Sequence, residues 1–226
     1  GKIHRRLRPP PEESAAMSRR QITEGLPLPA FLQPTGSSGT VLQVQGVDKA
    51  FGGIRAVSGA SLQVEAGQVH ALIGPNGAGK TTTFNLISGM FTPDRGSVTL
   101  HGRAIHGLPP DRICHQGLAR SFQITNLFKG LAIEENLRLA LQARHAARWD
   151  FWRDVDHYRD IHAETAELMR FLGLTGIERT LGGDLSYGGQ RLVDLGLALG
   201  SKPQVLLLDE PLAGLAAAER ERVSRL

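Results

Sequence analysis

The stretch Ala71–Gly89, ALIGPNGAGKTTTFNLISG, constrains the fold more than any other part of this chain. The mostly apolar run Val69-His70-Ala71-Leu72-Ile73 predicts a short strand inside a covered sheet. Gly74-Pro75-Asn76-Gly77-Ala78-Gly79-Lys80-Thr81 follows and fits G-x-x-x-x-G-K-[ST] at every fixed position, ahead of a helix. Glycines there let the backbone wrap a phosphate without a Cβ in the way. The N–H groups then converge on the anion at the positive end of the next helix. Lys80 is expected to reach the terminal phosphates, and the Thr81 hydroxyl to ligate Mg²⁺. The prediction is a nucleotide site.

The surrounding pattern is α/β. Val41–Gln45, Ser61–Val64 and Ser97–Leu100 alternate with period two, as strands with one wet face do. From about residue 131 the period changes. Ile133, Leu137 and Leu141 recur four apart, and Ile161, Thr165, Leu168 and Leu172 repeat a helical spacing, with Gly173 placed as a C-cap. Strand character returns at Val205-Leu206-Leu207-Leu208-Asp209-Glu210-Pro211, four apolar residues that deliver two acids to a strand's end. Behind a phosphate loop the first acid, Asp209, suits Mg²⁺. The second, Glu210, suits proton abstraction from an attacking water.

Leu185-Ser186-Tyr187-Gly188-Gly189-Gln190 adds a second anion-binding pattern, a helix start with Ser186 as N-cap. It resembles the LSGGQ-type signature of ATP-binding cassette (ABC) proteins, and residues 41–226 keep that family's motif order. The resemblance implies a P-loop NTPase fold of the ABC ATPase type. An antiparallel β-subdomain accompanies it, with an inserted helical subdomain at about 124–184, the whole domain spanning 40–226. It implies that Gly74, Pro75, Asn76, Gly77, Ala78, Gly79, Lys80, Thr81 and Thr82 hold the phosphates of ATP. Phe51 would stack on adenine, and Ser186 and Gly188 would close over the nucleotide of a partner subunit. It further implies that Gln123, in RSFQITNLF, senses Mg²⁺ and the attacking water, that Thr81, Gln123 and Asp209 serve the metal, and that Glu210 with Gln123 is catalytic. Gly189 stands where the family often has Gln or Glu, which loosens the early helix by about 1 kcal/mol relative to Ala. Ala216 stands where Asp or Asn is common, leaving no polar contact there.

FGGIRAV, RSFQITNLF, ENLRLALQARH and LSYGGQRLVDLGLAL together look like the ATPase subunits of branched-chain amino-acid and amide importers. The ATPase of lipopolysaccharide export shares some of this texture, and a soluble non-transport ABC ATPase shares the motifs. The importer resemblance implies a second ATPase subunit, transmembrane permease subunits and, indirectly, a substrate-binding protein. The expected location is the cytoplasmic face of the plasma membrane. A GTPase or small-molecule kinase would share the phosphate loop but leave LSYGG unexplained, and no N-K-x-D guanine-reading motif is present. Aromatics of Arg148–Trp152 read as helix packing, and His145, His157 and His162 lack the spacing of a helical metal pair.

Composition matters at the N-terminus. Six basic residues against three acidic ones in residues 1–40 carry +3 of the net charge of +4, so the domain itself gives no case for nucleic acid. With six of the twelve prolines, residues 1–39 read as a disordered basic extension. The C-terminus raises a separate expectation. ABC ATPases carry a histidine about thirty residues beyond the acidic strand. Here 17 residues follow Asp209, and none is His. A C-terminally truncated domain is expected, with unpaired backbone and exposed apolar surface at the sheet's centre. Such a fragment should fold poorly and hydrolyse little ATP.

Overall fold

A computed structural model describes residues 28–33, 39–121, 127–144 and 159–211. Two long strands, β1 (Thr40–Phe51) and β2 (Ile54–Glu65), form a hairpin through the Gly52-Gly53 turn, where both glycines have positive φ. β3 (Arg95–Leu100) pairs with the other side of β1, and β4 (Arg103–Ala104) completes the antiparallel order β2-β1-β3-β4. The alternation read in Val41–Gln45 is real. Val44 lies 1% exposed, while Gln45 faces outward. α1 (Lys80–Ile87) and α2 (Pro110–His115) lie on the apolar side of this sheet.

β5 (Leu118–Ser121) and β6 (Val205–Leu208) pair in parallel, Leu118 with Val205 through Ser121 with Leu208. They share one apolar cluster with β1, β3, α1 and α2. A second cluster joins α3 (Ile133–Arg144), α4 (Arg159–Leu172) and α5 (Tyr187–Gly200). Ile133, Leu137, Leu141, Ile161, Thr165, Leu168 and Leu172 are all buried, as their spacing requires. Gly173 caps α4 with φ of 61°.

Two expectations need correction. Val69–Ile73 is not a strand. Val69 is 100% exposed and Ile73 89%, and among the described residues no ladder partner reaches this segment. A strand exists only through a neighbour's hydrogen bonds, and the nearest candidate edge, that of β6, lies across a groove of about 800 Å³. Val64–His70 line one wall of it and Pro203–Leu208 another.

The second correction concerns the extension. Leu28–Gln33 is ordered, with a 3-10 turn at Ala30–Leu32. The Ala30 N–H donates to Glu167 Oε1 at 2.7 Å, and Phe31 packs on the helical cluster with Lys202 Nζ 5.2 Å from its ring centre. Phe31 is the apolar side chain that docks this stretch.

Candidate functional site

The phosphate loop turns through two glycines into a helix. Gly77 and Gly79 adopt φ of 83° and 82°, and α1 starts at Lys80 directly after them. A Cβ on Gly79 would stand 2.4 Å from the Ala56 carbonyl oxygen, so this position admits only glycine. Lys80 folds back, its Nζ donating to the carbonyls of Gly74 at 2.7 Å and Pro75 at 2.8 Å. Thr81 is exposed at the mouth of the loop, with Thr82 half-buried beside it. A glycine turn opening a helix, a lysine at its first position and an exposed threonine hydroxyl fit an anion with an attached cation.

Asp209 leaves the end of β6 almost fully buried. Arg120 of β5 donates from Nη2 to its Oδ2 at 2.9 Å, and the Arg120 and Asp209 side chains are 6% and 7% exposed. The same guanidinium donates from Nη1 to Asn85 Oδ1 at 2.6 Å and to Ser88 Oγ at 3.1 Å, and lies over the Phe84 ring. Phe84 and Asn85 belong to the helix that the phosphate loop opens, and Ser88 caps its end. One arginine thus joins the phosphate-loop helix to the predicted metal acid. A carboxylate and a threonine hydroxyl are oxygen donors of the kind that suit Mg²⁺, which is held by few protein ligands and substrate phosphates.

Glu210 follows with φ of 49°, a left-handed conformation that costs a non-glycine residue about 1–2 kcal/mol. Its carbonyl accepts from Arg191 Nη2 at 3.1 Å. Arg191 is buried on α5, the helix capped by Ser186, whose Oγ accepts from the Gly189 N–H at 3.1 Å. Asp194, one turn further, accepts from Ser121 Oγ of β5 at 2.7 Å. The signature helix is thereby bonded to the ends of both parallel strands. Ser186 is exposed, whereas Gly188 is buried in the first turn.

Phe51 ends β1 with 42% of its surface exposed, edge-on to Phe91 at 5.1 Å between ring centres. It is a surface aromatic rather than a core one. Lys49 and Asp94 set its neighbourhood through a 2.8 Å ion pair. That ammonium and then the Ala50 N–H hold the Asp94 carboxyl below the usual carboxylate range. Gln123, Ala216, Arg148–Trp152, His145 and His157 lie outside the described residues.

Residues 57–213 match the family described as ABC transporter. The chain belongs to the ABC transporter family. Its members hydrolyse ATP to power transport, and the cassette fold read from the motifs holds for this chain. The chain is similar to the high-affinity branched-chain amino acid transport ATP-binding protein BraF of Pseudomonas aeruginosa. That pair is 37% identical over 193 residues, 82% of this chain and 75% of BraF. It is 34% identical to LivG of Salmonella typhimurium, named in the same terms, over 82% of this chain and 75% of that protein. A crystallised ATP-binding cassette of an ABC transporter superposes with a TM-score of 0.70 at 29% identity, over 82% of this chain and 74% of that one.

The sequence reading of this cassette missed Arg120, Arg191, Asn136 and Asp194. Asn136 is fully buried, accepting from the Phe128 N–H and donating to the Phe128, Leu131 and Ala132 carbonyls. It pins the turn that leads into α3. The available signal was a charge in an otherwise apolar element, such as Arg120 in LARS.

Proposed function

We propose that this cassette is the ATP-hydrolysing subunit of an importer for branched-chain amino acids or related amides. It works as a dimer on the inner membrane face beneath a permease. The observation that carries the reading is the single guanidinium bonded both to Asn85, on the helix that opens at Lys80, and to Asp209. The names of the similar proteins BraF and LivG support the substrate class. Among the described residues no helix is long and apolar enough to cross a membrane, which suits a subunit that borrows its membrane passage.

The chain's own groups supply the chemistry. Loop N–H groups bind and orient the phosphates, and Lys80 leaves its two carbonyls to follow the charge of the transferred phosphoryl. Thr81 and Asp209 would hold Mg²⁺, which when bound neutralises charge on the phosphate oxygens. Glu210 takes a proton from water at its carboxylate. Gln123 aligns that water. Ser186 contacts the partner's nucleotide, so ATP favours the closed pair because only that state makes both sets of contacts.

The test is reconstitution of the subunit with candidate permease subunits of this importer class, in vesicles supplied with a binding protein. ATP turnover stimulated by leucine, isoleucine or valine, or by a small amide, supports the reading. Stimulation only by a lipopolysaccharide precursor assigns export instead, and failure to co-purify with any permease points to a soluble ATPase.

A further inference from the structure

The first acid of the pair never stands alone in this structure. Arg120 and Asp209 come from adjacent parallel strands, and both side chains are more than nine-tenths buried. A guanidinium has donors in a fixed planar fork, and here opposite sides of the fork are committed. Nη2 meets Asp209 Oδ2. Nη1 meets Asn85 Oδ1 and Ser88 Oγ, and Phe84 lies beneath the plane. The head cannot turn without losing bonds to two elements at once. Asp209 Oδ1 takes no hydrogen bond among the described residues, so one carboxylate oxygen is fixed and the other is left to be presented. Asn85 and Ser88 ride on the helix that opens with Lys80 and Thr81, so the fork also sets where Thr81 stands relative to Asp209.

We propose that Arg120 is a positioning residue for the metal-binding acid, holding Asp209 by one oxygen and fixing its distance from Thr81 through Asn85 and Ser88. This rests on the reading of Asp209 as the acid that serves Mg²⁺. Outer partners of this kind orient a metal's ligands, and their loss costs about 10–100-fold in metal affinity. Charge alone would act in the opposite sense, because a cation beside the site repels Mg²⁺. The informative change therefore keeps the charge and removes the fork. Arg120→Lys does that, and Asn85→Ala removes the anchor at the far side of the fork with no change of charge.

The experiment measures ATP affinity of the full-length subunit by calorimetry, in EDTA and in saturating Mg²⁺, and follows the Mg²⁺ concentration at half-maximal effect. For Arg120→Lys the metal-free affinity should stay within about twofold, while the gain on adding Mg²⁺ shrinks about tenfold or more. Asn85→Ala should shift the gain in the same direction by a smaller factor. A gain equal to the parent's in folded Arg120→Lys overturns the proposal. So does a metal-free affinity that falls in step with the metal-bound one, because the arginine then serves only the fold. If Arg120→Lys shows no cooperative unfolding, Asn85→Ala decides, since Asn85 is only half-buried and its truncation leaves no deep cavity. Asp209→Asn separates the two claims. If it keeps the full gain, the reading of Asp209 fails; if it loses the gain and Arg120→Lys does not, Arg120 alone has been misassigned.

Discussion

The Lys80 ammonium donates to the Gly74 and Pro75 carbonyls, and in the proposed function it would exchange those bonds for phosphate contacts. Lys80→Ala should weaken ATP binding by roughly 1.5–3 kcal/mol, the span of a hydrogen bond to a charged group. An unchanged dissociation constant by calorimetry would remove Lys80 from the site. Glu210→Gln tests a different property. The amide keeps the shape and faces the same backbone conformation, held by Arg191, but cannot accept a proton. Turnover should fall by about 10²–10⁴ while ATP still binds. Steady hydrolysis in that variant would reassign the base.

At the scale of elements, the helical cluster depends on close approach at Gly196 of α5. A Cβ there would stand 2.5 Å from Leu137 Cδ2 and 2.6 Å from Leu172 Cδ1, and both leucines are fully buried. Gly196→Ala gains about 1 kcal/mol of helix propensity, but overpacking a filled core costs about 1–3 kcal/mol. The second effect wins, and urea unfolding should show a lower midpoint with an unchanged slope. On α3 the Arg138 guanidinium bonds Glu135 at 2.7 Å and holds its carboxyl below the ordinary value, against the opposing effect of partial burial. A lowered folded-state pKa means this contribution is present above the unfolded value and is lost as pH falls through the folded one. NMR titration should find Glu135 below the usual carboxylate range, and Arg138→Met should return it upward.

Across the whole molecule, the antiparallel sheet and the parallel pair meet in one apolar cluster, yet their backbones are unequally secured. β1 is paired on both sides, with β2 and β3, whereas Val69–Ile73 runs extended beside a groove. Hydrogen exchange should therefore find the Val69–Ile73 amides near unprotected rates in the 226-residue chain, and those of β1 slowed by orders of magnitude. Equal protection of the two segments would contradict the described pairing.

The sequence alone determined what depends on a few neighbouring residues. Eight consecutive positions specify the phosphate loop, and Gly77 and Gly79 take the conformations that only glycine reaches easily. Helical periodicity found the buried faces of α3 and α4, Gly173 ends α4, and Ser186 caps α5. Each follows from local sterics or a hydrogen bond within a turn. Tertiary structure decided the rest. Val69–Ile73 has a strand's composition but, among the described residues, no strand's bonds, because a ladder needs a second edge in register. Arg120 reads locally as a misplaced charge in LARS. Its role came into view only when β5 lay beside β6 and placed it against Asp209, 89 residues further along the chain. Buried charge is tolerable only where its partners converge, and convergence across that separation is a property of the fold.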